Sequence, residues 1–101
     1  MEASTNQDQG AAVFIHVHPE ATGAALQKDS TLWFLVFTGP SGAKWDMQLV
    51  TPNELSDALG LGYADADVVS YMERQLAAAG YVVHHRPRGT DMAAWSLTFR
   101  G

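Results

Sequence analysis

The densest cluster of chemically capable side chains is "HHRPRGT" (84–90), which sets His84, His85, Arg86 and Arg88 close together in an acidic chain. Guanidinium groups bind phosphates and carboxylates bidentately, and imidazoles ligate metals. Pro87 and Gly89 favour a turn. On a strand leading into it, His84 and His85 point to opposite faces, so at most one could join a metal site. His16-x-His18 is the second cluster, because alternate residues of a strand project together. Zinc takes three or four ligands, and Glu20 is the one acid nearby, so neither metal nor cofactor is expected. No serine sits in a G-x-S-x-G elbow, and "GPSG" and "GLG" lack the lysine and helix of a phosphate loop. No catalytic residue is assigned, and the chain reads as non-enzymatic.

The length of 101 residues suits one domain with a real core. A hydrophobic share of 47% with 17% charged residues is that of a folded globular protein. With no cysteine, disulfides, thiolate zinc sites and cysteine nucleophiles are excluded. No apolar run reaches the ~18–20 residues that cross a bilayer. "MEASTNQDQG" lacks the basic start and apolar stretch of a signal peptide. Residues 1–10 are expected to be a disordered leader, residues 11–101 a single domain, and the address cytoplasmic. A net charge of −5 weighs against a broad nucleic-acid footprint.

Several elements could position these groups. "AVFIHVH" (12–18) alternates as a strand does. Pro19 ends it, and residues 19–28 read as a loop or one short helix. "TLWFLVFT" (31–38) is apolar on both faces, and "GPSG" turns it into "KWDMQLV" (44–50), with Trp45, Met47 and Leu49 inward and Lys44, Asp46 and Gln48 outward. Thr51, Pro52 and Glu54 form a helix start with a capping box. Leu55, Ala58 and Leu59 follow as its buried stripe, and Gly60 suits its exit. A second helix, capped by Asp65 or Asp67, sets Val68, Val69, Met72, Leu76 and Ala79 on one face and stops at Gly80. "YVVHH" (81–85) and "MAAWSLTF" (92–99) make a closing hairpin. The fold class is α+β, in the order β-β-β-α-α-β-β with a possible short helix at 19–28.

The stretch from "TPNELSDALGL" through "QLAAAGYV" to "HHRPRGTDMAAWSL" resembles the winged helix-turn-helix fold of MarR- and ArsR-like regulators, over roughly residues 46–99. The resemblance implies a small winged-helix-like domain with an extra N-terminal β-hairpin or strand. It further implies that the longer helix enters the major groove of duplex DNA while the hairpin wing touches its backbone or minor groove. Carried onto this chain, Ser70 and Arg74 of the helix and Arg86 and Arg88 of the wing are the DNA-binding candidates. The chain departs from the family in its longer "GYADAD" connection, in Glu73 at an apolar position, and in lacking a clear first helix.

The apolar strand 31–38 needs cover on both faces, so Trp33, Leu35 and Phe37 are candidates for a partner-binding surface and a homodimer is expected. Two functions follow. The first is a dimeric DNA-binding transcriptional regulator with a basic wing. The second is a protein-binding inhibitor or adaptor of phage or mobile-element type on the same scaffold, with an acidic mimic of nucleic acid as one form of it.

Overall fold

The computed structural model describes residues 15–101. The expected leader, the first part of strand 12–18 and the inward placing of the Trp45 side chain lie outside the described residues. What is described is an α+β domain. Its five strands are β1 (Gly23–Asp29), β2 (Leu32–Thr38), β3 (Lys44–Val50), β4 (Tyr81–His85) and β5 (Ala93–Phe99), and its helices are α1 (Pro52–Leu59) and α2 (Asp65–Ala78). The strands form one antiparallel sheet in the order β3-β2-β1-β5-β4.

The central strand β1 lies where the sequence suggests a loop or short helix. Gly23, Ala24 and Ala25 have little strand propensity, but pairing with β2 on one side and β5 on the other overrides it. Gly23 also leaves room for two neighbouring side chains. A Cβ at Gly23 would stand 2.9 Å from Thr38 Oγ1 and 3.2 Å from the Arg86 guanidinium.

Residues 15–18 are not a strand. They run as a strap whose polar groups are met by β3 and β4 side chains. Gln48 accepts from the His16 N–H at 3.2 Å and donates to its carbonyl, and the Tyr81 hydroxyl bridges the His18 N–H and carbonyl at 2.7 and 3.0 Å. The strap seats Ile15 in the core.

Both helices cover one face of the sheet. Thr51 and Glu54 exchange the two bonds of a capping box, and α1 buries Leu55; Ala58 is exposed, so the buried stripe is narrower than the pattern suggests. In α2 the cap is Ala64, not Asp65 or Asp67, although the Asp67 carboxylate accepts the Ala64 N–H at 2.9 Å. Its buried face carries Val68, Met72, Gln75 and Leu76. Gly80 follows with φ +110 and leads into β4.

Trp33, Leu35 and Phe37, expected to face a partner, belong to the face that the helices cover. They are core residues, packed with Leu26, Leu55, Met72 and Trp95. The β2–β3 register explains a second correction. Thr38 pairs with Lys44, but Phe37 pairs with Asp46, so the ladder slips between them. Such a slip reverses the faces of everything beyond it. Asp46, Gln48 and Val50 therefore join the helix side, while Met47 (53% exposed) and Leu49 (49%) point away from it. Among the described residues, no helix is long and apolar enough to cross a membrane.

Candidate binding surfaces

On the helix side, the first half of α2 and the β4–β5 hairpin enclose an open groove of about 470 Å³. Asp65, Val69, Ser70 and Glu73 line it from the helix, and His85, Arg88 and Met92 line it from the hairpin. Ser70 and Arg88 thus meet at one groove, as a helix-and-wing reading requires. Arg74 is exposed one turn further along α2, its guanidinium 6.0 Å from the centre of the Tyr71 ring.

At the base of the groove Glu73 has a structural task. One of its carboxylate oxygens accepts the indole N–H of Trp95 at 2.9 Å and meets His85 Nε2 at 2.5 Å. Trp95 is completely buried, so its N–H would be orphaned without this acceptor. This explains an acid where the winged-helix pattern has an apolar residue. The nearby Asp65 is paired with Lys28 at 3.0 Å, and that ammonium also lies 5.1 Å from the Trp33 ring centre.

Arg86 does not join Arg88. Its N–H continues the ladder to the Ala94 carbonyl at 3.1 Å, and its guanidinium crosses the face opposite the helices to lie over Gly23 beside Thr38. The two arginines of the turn diverge to the two sides of the sheet. Alternation along the strands separates His84 and His85 in the same way. His85 reaches Glu73 on the helix side, and His84 stands opposite Ser96 on the other.

His16 and His18 do converge, on Asp46 of β3, at 3.5 and 3.1 Å. The Gln48 amide donates to the same carboxylate oxygen at 3.0 Å. The His18 hydrogen bond, aided by that of Gln48, holds the Asp46 carboxyl below its ordinary value. The cluster anchors the strap. Among the described residues, no group of three or more His, Asp or Glu side chains is arranged to hold a metal. Burial raises the Tyr81 hydroxyl above its ordinary value, and it raises that of Tyr71 with help from the Glu54 charge.

The sheet face away from the helices is the surface that the sequence pattern missed. Register places Met47, Val36, Ala25, Ala94 and Arg86 in one row on this side, and Leu49, Phe34 and Gln27 in the next. Val36, Ala25 and Ala94 are themselves buried, so the apolar side chains open to solvent are Met47 and Leu49 of β3, with Phe34 half-buried beside them. Leu32 is 37% exposed beyond them. Asp91 is held by the Gln27 amide at 3.1 Å, and Asp29 is exposed where β1 ends. The apolar strip therefore runs between a cationic end, Lys44 and Arg86, and an anionic end, Asp29 and Asp91. The expected alternation of β3 concealed it, because only the slip in register turns Met47 and Leu49 outward. Comparison with known proteins finds no matching family model, no similar curated protein and no similar solved structure.

Proposed function

We propose that the chain is a non-enzymatic protein-binding module that works through the sheet face opposite its helices. The observation that carries this reading is the exposure of Leu32, Met47 and Leu49 on the one face that neither helix covers. A contiguous apolar strip rimmed by charge is how a soluble domain marks a protein contact. The charge layout specifies the partner: it offers an apolar strip with acid at the end that meets Lys44 and Arg86, and base at the end that meets Asp29 and Asp91. Of the histidine–carboxylate pairs among the described residues, Glu73 and His85 are engaged with Trp95 and each other, and Asp46 with His16 and His18 anchors the strap, in keeping with a binding role.

The winged-helix reading draws support from the chain order α1–α2–β4–β5 and from the meeting of Ser70 with Arg88. Three features favour the protein partner instead. The place of a first helix is held by β1, the start of α2 carries Asp65 and Asp67, and Arg86 lies on the other side of the sheet. Acids at a groove-facing helix start would meet a polyanion at close range.

The test has two arms. In the cell extract from which the protein is taken, hydroxyl-radical oxidation of Met47, read as a ratio to Met92 of the same molecules so that scavenging by the extract cancels, is expected to be lower than in the dilute purified chain. An equal ratio overturns the reading. Titration against random duplex DNA at low salt is expected to show no binding. Binding that Arg74→Ala with Arg88→Ala abolishes would instead make DNA the partner.

A further inference from the structure

The layout of the open face suits one occupant in particular. We propose that this occupant is a second copy of the chain, packed face to face about a two-fold axis that lies across the strands. The inference rests on the protein-binding reading above and names its partner.

The argument is one of self-complementarity. In a two-fold dimer the same patch serves both copies, so a charged rim must be its own complement under the rotation. An axis along the strands would set like charge over like. An axis across them reverses the strand direction, and the acidic end of each copy then covers the cationic end of the other. The register fixes the details. The row of Met47 and Val36 and the row of Leu49 and Phe34 lie two residues apart, on either side of the level of Leu26. A two-fold axis at that level sets the exposed Met47 against the other copy's exposed Leu49. It also brings Asp29 over the position of Gly23, six residues or roughly 20 Å along the strand. Gly23 is where the Arg86 guanidinium rests, because a glycine leaves room for it there. Each Asp29 thus meets the arginine of the other copy. No carboxylate among the described residues lies within ion-pair distance of Arg86 in the single chain. Aligned packing of two twisted sheets, about 10 Å apart, accommodates this arrangement.

Sedimentation of the full chain over a range of concentrations reads the association, and the absence of cysteine lets its geometry be read directly. Facing Cα atoms of packed sheets stand ~10 Å apart, beyond the reach of a disulfide, so a short bis-maleimide is the suitable cross-linker. A mixture of Met47→Cys and Leu49→Cys chains is expected to cross-link mainly as mixed dimers. Asp29→Arg and Arg86→Asp alone should each weaken association by on the order of tenfold or more, since each substitution acts twice in a two-fold dimer. The chain carrying both should recover most of the loss. All four positions are solvent-exposed, so circular dichroism confirms that the variants fold.

A chain that stays monomeric at every concentration overturns the second-copy inference. The protein-binding reading would then stand or fall on the protection of Met47 in extract. A dimer that cross-links mainly between like positions, without rescue by the double charge exchange, overturns the proposed crossing.

Discussion

Glu73→Leu is the sharpest probe of how the helix layer is locked to the sheet. The substitution keeps a good helix former in the middle of α2 and covers much of the same surface, but it removes the acceptor of the Trp95 indole N–H. Trp95 has no exposed surface, and its hydrogen bond to Glu73 at 2.9 Å goes to a charged group. Such a bond contributes about 1.5–3 kcal/mol, and a buried donor left unpaired costs a comparable amount. Glu73→Leu should therefore lower stability by roughly 2–3 kcal/mol. For a domain of this size that corresponds to a melting temperature lower by roughly 10–20 °C. Glu73→Ala should be milder, because the Glu73 side chain is 29% exposed and truncation lets water reach the indole. Glu73→Gln keeps an oxygen acceptor and should cost less than either. His85→Ala removes only the outer partner, whose ring is 72% exposed, and should shift stability by less than about 1 kcal/mol. Chemical denaturation of the four variants, with tryptophan fluorescence as the probe, gives the order. A Glu73→Leu chain within about 0.5 kcal/mol of the parent, inside ordinary surface variation, would refute the view that Glu73 is there for Trp95.

Other predictions concern neighbouring parts of the core. Gln75 is buried, and its Oε1 has no hydrogen-bond partner among the described residues. Gln75→Met, an unbranched residue of similar length, should raise stability by about 1 kcal/mol in the same denaturation assay. Gly80 has φ +110, and an added Cβ would stand 2.9 Å from the Phe99 ring and 3.1 Å from the Gly101 backbone. Gly80→Ala should cost about 1–3 kcal/mol, measurable as a lower denaturation midpoint. The Asp46 carboxyl lies below its ordinary 3.8 because of His18 and Gln48, so its contribution is full above that pH and fades as pH falls through the depressed value. Asp46→Asn should therefore lower stability at neutral pH and flatten the acid limb below about pH 4, as read by denaturation at a series of pH values.

Sequence patterns carried the helices and the closing hairpin well, because their signals are local. Thr51, Pro52 and Glu54 set the start of α1 through bonds within one turn, and Gly80 marks the end of α2 through its backbone angle. The sheet was less legible because strand identity depends on neighbours distant in the chain. Gly23–Asp29 has a poor strand composition and becomes a strand because β2 and β5 both pair with it. Residues 15–18 have the alternation of a strand, yet their backbone groups are satisfied by the side chains of Gln48 and Tyr81. Glu73 could not be assigned from sequence at all. Its partner Trp95 is twenty-two positions away, and only the fold brings them together.

The candidate surface follows from the same slip in register that misled the pattern. Continued from Lys44 without the slip, alternation would leave Asp46 and Gln48 facing away from the helices and bring Met47 and Leu49 into the core. That arrangement would look better by hydrophobic burial alone. In the folded chain the slip puts two polar residues against the helix side, where Gln48 is nearly fully buried, and leaves two large apolar side chains outside. The first change is offset locally: Asp46 and Gln48 find His18, His16 and the strap backbone. The second has no such offset within the described residues, since neither helix reaches that face. A slip that satisfies its inward side and leaves its outward side apolar is what a domain needs if the outward side is covered by something else. The charge order around that side, cationic at one end of the strands and anionic at the other, makes another copy of the same face a fitting cover.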